Sequence, residues 1–151
     1  MVAISALIAF TLAFIWGNSF LSAKDSAETS GAVYGTIQSV LDAVFGTGAI
    51  TLTHGFIRKA AHFTEFAALG AELSLLVLLV KRENFKGYAL SLACGLFVAA
   101  VDEGLQTLSD RAPSLIDVAI DFSGCLAATA VFFAVFLIRR AKSVKKSEKN
   151  L

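Results

Sequence analysis

The chain has 151 residues, of which 56% are hydrophobic and only one is proline. With a mean hydropathy of +0.72, it lacks the polar surface of a protein that faces water on every side. A net charge of +1 gives no sign of a nucleic-acid partner, and the stretches between apolar runs are too short for a second soluble domain. The sequence therefore predicts one integral membrane domain.

Four segments are apolar enough to cross a bilayer as helices, a crossing that takes about 20 residues. No Lys or Arg precedes the first segment, which favours a retained anchor over a cleaved signal peptide. We predict an all-α integral membrane bundle of four transmembrane helices. Their predicted ranges are Val2 to Leu21, Ile57 to Val80, Phe85 to Leu108 and Leu115 to Ile138.

Basic residues are distributed unevenly along the chain. The turn from Lys81 to Lys86 and the C-terminal segment 139–151 hold nine of the thirteen Lys and Arg residues. Cytoplasmic loops collect Lys and Arg, so both termini are expected in the cytoplasm. Residues 1–138 then form a multi-pass domain of the inner (plasma) membrane, and residues 139–151 form a basic cytoplasmic tail.

The segment between the first two spans is rich in Ser, Gly and Thr, and this orientation makes it extracytoplasmic. Within it, Ile37, Val40 and Val44 recur at helical spacing opposite Gln38 and Asp42. This pattern predicts a short amphipathic helix that lies in the outer interface or folds back into the bundle.

Ionisable residues inside membrane spans are costly, so each one indicates a candidate functional site. Arg58, His62 and Glu65 are spaced i, i+4 and i+7 on one face of the second span. Glu72 continues this face towards the middle of the membrane.

The other two polar groups lie at the end of the third span and the start of the fourth. The third span ends with Asp102, Glu103 and Gln106, and the fourth opens with Asp117 and Asp121. The second span begins outside, the third ends outside and the fourth begins outside. All three groups should therefore meet in one pocket that opens to the extracytoplasmic face, with Arg58 and Lys59 near its mouth.

Carboxylates outnumber the fixed positive charges in this predicted pocket. In a purely structural alternative, buried ion pairs such as Arg58 with Asp117 or Asp121 only fix the helix assembly. Otherwise the excess charge requires protonated carboxyl groups, a protonated His62, bound water, or a divalent cation such as Mg²⁺ or Mn²⁺. The sequence leaves the metal open.

Three motifs in this order resemble the pattern of the VanZ-like family. They are the run from Arg58 to Phe66 (RKAAHFTEF), the run from Asp102 to Gln106 (DEGLQ), and the trailing Arg111, Asp117 and Gly124. The family pattern is R-K-x-x-H-x-x-E-aromatic, D-E-x-x-Q and R…D…N…G. Two positions depart from it: Phe66 replaces the usual tyrosine, and Asp121 replaces the usual asparagine and adds a carboxylate.

The family is named for a bacterial protein associated with teicoplanin resistance, and the resemblance implies a cell-envelope role without supplying a reaction. The partners it implies are membrane lipids and a lipid-linked cell-wall precursor or lipoglycopeptide, bound at the outer leaflet. The alternatives are an intramembrane hydrolase or transferase acting on a phosphorylated lipid, metal-assisted or His/Glu-dependent, and a small transporter or proton relay. The candidate catalytic residues are His62 and Glu65, and the candidate binding residues are Arg58, Lys59, Asp102, Glu103, Gln106, Arg111, Asp117 and Asp121.

Overall fold

The computed structural model describes residues 1–20, 23–109, 112 and 114–148. In this part of the chain every long element is a helix and no strand occurs, which confirms the predicted all-α fold. The helices are α1 (Val2–Ser19), α2 (Ala23–Phe45), α3 (His54–Leu79), α4 (Phe85–Gln106) and α5 (Leu115–Glu148), and a 3-10 turn (Thr107–Ser109) follows α4.

Four of these helices, α1, α3, α4 and α5, are long and apolar enough to cross a membrane. Only 17% to 39% of the residues in their apolar stretches are buried within the protein. Large side chains such as Phe10, Leu90 and Phe97 remain more than half exposed. An apolar surface of this extent needs a lipid environment, so the chain is a multi-pass membrane protein.

The helix predicted between the first two spans is present as α2, and it is longer than the apolar pattern indicated. It begins at Ala23, well before the apolar repeat starts at Ile37. Its inner face contacts the start of α3, where the Tyr34 and His54 rings stack with their centroids 4.4 Å apart. The first half of α2 has no apolar stripe, so sequence periodicity could not detect it.

Small residues bring α3 and α5 into close contact. A Cβ atom added to Gly124 would collide with the backbone of Phe63 and Ala67, and one added to Gly70 would lie 2.6 Å from the carbonyl oxygen of Cys125. Cys125 is fully buried at this junction as a free thiol. These small residues therefore allow the backbones of α3 and α5 to approach closely.

A compact apolar core lies one helical turn below the polar residues. It contains Ile15, Phe66, Leu69, Val98 and Ala99. Residues four apart lie on the same face of a helix, so each core residue sits one turn from a polar one: Ile15 below Ser19, Phe66 below His62, and Val98 below Asp102. The core thereby fixes the rotation of α1, α3 and α4 and points their polar side chains at one another.

Candidate functional site

His62 on α3 lies between two buried carboxylates from different helices. Its Nδ1 atom is 3.6 Å from Asp121 Oδ1 on α5 and 4.0 Å from Asp102 Oδ2 on α4. One nitrogen or oxygen atom from each residue lies within 4.8 Å of the others. The three motifs therefore converge, as the order of the spans predicted. We call His62, Asp102 and Asp121 the acid–histidine cluster.

Both carboxylates of the cluster are removed from solvent. Asp102 has no exposed surface and Asp121 is 1% exposed. Asp102 accepts hydrogen bonds from the Ser19 hydroxyl and, at 2.8 Å, from Gln106 Nε2. Asp121 Oδ2 is buried without a hydrogen-bond partner among the described residues. Two buried acids beside one imidazole form a site that attracts a proton or a cation.

Helix α1 supplies polar partners that the sequence analysis did not assign to the site. Ser19 binds Asp102, Asn18 Nδ2 donates to Glu65 Oε1 at 3.2 Å, and Thr11 donates to Glu72 Oε1 at 2.8 Å. The order of the spans provides a signal for Asn18 and Ser19, because the first span ends at the membrane surface where the second begins.

A small cleft opens from the cluster to the surface, with a cavity volume of about 10 Å³. This is about the room that one water molecule needs, so a larger group would have to bind at its mouth. Arg58 is half-buried and Lys59 is exposed. The residues that line the cleft are Arg58, Lys59, His62, Gln106, Asp117, Ile120 and Asp121.

Arg58 makes no ion pair with Asp117 or Asp121 within the residues that the structure describes. The ion pairs offered as a purely structural explanation therefore do not form there. Arg58 lines the cleft instead.

The remaining predicted residues have different surroundings. Glu103 is buried, and one of its oxygens accepts a hydrogen bond from the backbone N–H of Ser114, so it links the end of α4 to the start of α5. Asp117 lies in the first turn of α5 and lines the cleft. Arg111 lies outside the described residues.

Glu65 lies beside the acid–histidine cluster and not within it. One turn along α3 from His62, it lines an apolar groove of about 530 Å³ between α1, α2 and α3. We call this the site-side groove. Phe10 and Phe14 of α1, Ile37 of α2 and Ala61 of α3 form part of its wall. The candidate site thus has a charged cleft and an apolar groove on neighbouring faces of α3.

The cluster also has the donor set of a divalent-metal site. Carboxylate oxygens suit Mg²⁺ and Mn²⁺, and an imidazole nitrogen is a common ligand for Mn²⁺ and other transition metals. Hydrogen bonds from Ser19 and Gln106 orient the Asp102 carboxylate as outer-shell partners do in metalloproteins. The ion's ligands would be His62, Asp102 and Asp121.

The sequence was compared with known families, curated proteins and solved structures. A family model described as VanZ/LLP1 matches residues 4–138. The chain belongs to the VanZ/LLP1 family. No curated protein and no solved structure gives a significant match. The matched range begins in α1 and ends in α5. The family match therefore includes residues of all four candidate membrane spans in the described part of this VanZ-like membrane protein. The residues of the cleft and of the acid–histidine cluster lie inside the matched range.

Proposed function

We propose that this VanZ-like protein acts in the envelope of a bacterial cell, at the outer leaflet of the plasma membrane. There it binds the anionic head group of a lipid-linked cell-wall precursor or of a lipoglycopeptide, and thereby confers teicoplanin-type antibiotic resistance. The observation that carries this proposal is the Arg58 and Lys59 pair at the mouth of the cleft, above the acid–histidine cluster.

Arg58 supports the binding of an anion from outside the protein. A guanidinium without an ionic partner among the described residues can offer two parallel N–H donors to a phosphate or a carboxylate. Lys59 adds a second positive charge at the same mouth. Both residues precede His62 on α3, so the anion would bind at the membrane surface.

The site-side groove supports a ligand with an apolar tail. Its volume of about 530 Å³ lies in the range of small-molecule sites, and its walls are almost entirely apolar side chains. Lipid-linked precursors and lipoglycopeptides each join an anionic head to a hydrocarbon chain. A charged cleft and an apolar groove on neighbouring faces of α3 match those two parts.

Teicoplanin susceptibility tests this function directly. A sensitive bacterial host would express wild type, Arg58→Gln or His62→Ala at equal membrane levels, with Arg140→Gln as a control for the loss of a positive charge outside the site. We expect a several-fold rise in the inhibitory concentration of teicoplanin for wild type and for Arg140→Gln, and a much smaller rise for the two site variants. Equal protection by all four proteins would refute a role for the cleft.

A second candidate function is supported by the acid–histidine cluster. An imidazole 3.6 Å and 4.0 Å from two carboxylates can act as a general acid or base, or share a divalent cation with them. Either role would suit hydrolysis or transfer on a phosphorylated lipid, with Arg58 stabilising the anionic charge.

Phosphate release from a purified polyprenyl phosphate or diphosphate, measured with Mg²⁺, Mn²⁺ or a chelator, tests the enzyme. An enzyme should turn the lipid over as wild type and lose this turnover in Asp102→Asn and His62→Gln, while lipid affinity persists. If wild type binds the lipid and never turns it over, the binding function alone remains.

A further inference from the structure

A second apolar groove lies at the end of the bundle opposite the acid–histidine cluster. It is formed by the start of α1, the end of α3 and the start of α4, and its volume is about 600 Å³. Leu73, Leu76, Val77 and Leu90 form much of its apolar wall. We call it the far-end groove. It shares no lining residue with the cleft or with the site-side groove.

Two positive side chains distinguish the far-end groove from the site-side groove. Arg82 and Lys86 line it and are exposed. The site-side groove has a similar volume, and its one ionisable lining residue is the acid Glu65. Glu83, in the same turn, is not among the far-end lining residues, and neither cation makes an ion pair in the described part of the chain.

Hydrogen bonds from backbone N–H groups close the turn between α3 and α4, which leads from Arg82 to Lys86. The backbone N–H of Arg82 donates to Val77 O at 3.0 Å and that of Lys81 donates to Leu78 O at 3.1 Å, which closes the end of α3. Asn84 Oδ1 then accepts from Gly87 N at 2.9 Å and starts α4. Arg82 thus precedes the start of α4 and Lys86 follows it, and both residues line the groove.

The first turn of α4 adds to the positive potential of the far-end groove. It contains Lys86 and no acidic residue. Backbone N–H groups at a helix N-terminus favour an anion. Basic pockets between membrane helices bind anionic lipid head groups. The far-end groove combines an apolar wall with two cations that have no ion pair among the described residues, so it matches an anionic lipid.

We infer that the far-end groove binds an anionic phospholipid of the adjacent leaflet, with one acyl chain along Leu73, Val77 and Leu90 and its phosphate against Arg82 and Lys86. This site is separate from the proposed teicoplanin-related site and does not depend on that function. A lipid bound there would contact α1, α3 and α4 and stabilise their packing at the end of the bundle opposite the acid–histidine cluster.

Native mass spectrometry of the purified full chain in neutral detergent tests the inference. Phosphatidylglycerol and phosphatidylcholine with identical acyl chains serve as probes. We expect wild type to retain phosphatidylglycerol in preference to phosphatidylcholine, and Arg82→Gln/Lys86→Gln to bind phosphatidylglycerol on the order of tenfold more weakly or worse.

Lys145→Gln/Lys146→Gln is the matched control, because it removes the same charge from exposed positions outside the groove. This control should keep the lipid preference. Equal loss in both double variants would show a general attraction of opposite charges and overturn the inference. Equal retention of the two lipids by wild type would overturn it as well.

A second variant tests where the acyl chain lies. Ser5 is exposed and lines the groove, so Ser5→Phe fills the cavity without replacing a core residue or changing the charge. We expect this variant to lose phosphatidylglycerol while retaining the helix content and monodispersity of wild type. Undiminished binding by well-folded Ser5→Phe would remove the groove from the proposal.

Discussion

Asp102 has no exposed surface, and it accepts hydrogen bonds from Ser19 on α1 and Gln106 on α4. Since the Ser19 hydroxyl binds Oδ1 and the Gln106 amide binds Oδ2, both oxygens of this acid have a neutral donor. Removing either donor from such a buried carboxylate costs free energy, because the carboxylate oxygen is then left without a hydrogen bond. The stability of the site should therefore depend on Ser19 although this residue carries no charge.

We expect Ser19→Ala to lower the free energy of unfolding by about 1–3 kcal/mol, because it leaves a buried carboxylate oxygen without its donor. Graded unfolding in mixed detergents, followed by circular dichroism, measures the change. Ser39→Ala is the control, since the Ser39 hydroxyl bonds only within exposed α2, and it should change stability by less than about 0.5 kcal/mol. Equal effects of the two substitutions would contradict the assigned role.

Lys81 offers a second prediction at this scale, because its φ of 54° lies in the left-handed region. A side chain costs about 1–2 kcal/mol there, whereas glycine tolerates the conformation. Lys81→Gly should therefore be more stable than Lys81→Ala, which removes the same charge but keeps the Cβ atom. Thermal unfolding of the two variants measures the difference, and equal midpoints would show that the turn relaxes.

At the residue scale, charge was the signal in the sequence that pointed to the members of the acid–histidine cluster. His62, Asp102 and Asp121 were identified as candidates because charged groups are unusual in membrane spans, and the structure brings them together. Ser19 and Asn18 carry no charge, so the same rule did not assign them to the site. The closest partners of His62 could not be derived either, because they depend on how far each helix is rotated about its axis.

The contact between α3 and α5 gives a prediction at the scale of whole elements. Gly124 faces backbone atoms of Phe63 and Ala67, and backbone atoms cannot swing aside as a flexible side chain can. We expect Gly124→Ala to destabilise the protein by about 1–3 kcal/mol through overpacking. Because Asp121 lies one turn away on α5, the variant should also weaken any activity of the cluster.

Gly104→Ala is the matched control for this substitution. An added Cβ atom at Gly104, which also lies within a helix, would meet nothing within 4 Å. It should be neutral or stabilising by about 0.5–1 kcal/mol, because alanine restricts the unfolded chain. Unfolding in graded detergent measures both variants. If the two substitutions have the same effect, the close approach of α3 and α5 is not needed for stability.

Elements were predictable to the extent that hydropathy and periodicity describe them. The four spans were predicted because each has a long apolar run. The full length of α2 was not predicted, because its first half is polar and a polar helix has no periodic pattern of apolar residues. The loop after α2 is fastened by Gln38, which donates to Ile50 O at 2.8 Å and accepts from Leu52 N, a contact that no sequence rule specifies.

At the scale of the whole molecule, the alternation of the spans determines which ends of the helices share a membrane surface. The ends that carry His62, Asp102 and Asp121 meet at one surface, while the turn from Lys81 to Lys86 lies at the opposite end. This arrangement follows from the order of the helices. Which of the two ends faces the cytoplasm depends instead on the distribution of positive charge, and it stays a prediction.

Thiol labelling of intact cells tests the orientation. We expect a cysteine at Leu108, which is 73% exposed in the 3-10 turn beside the cluster, to react with a membrane-impermeant maleimide from outside. A cysteine at Lys145 should react only after the cells are permeabilised. Both variants need a Cys94→Ala background, because Cys94 is exposed, whereas buried Cys125 can remain. The reverse labelling pattern would place the cleft at the cytoplasmic surface, and the proposed access to outer-leaflet ligands would then be wrong.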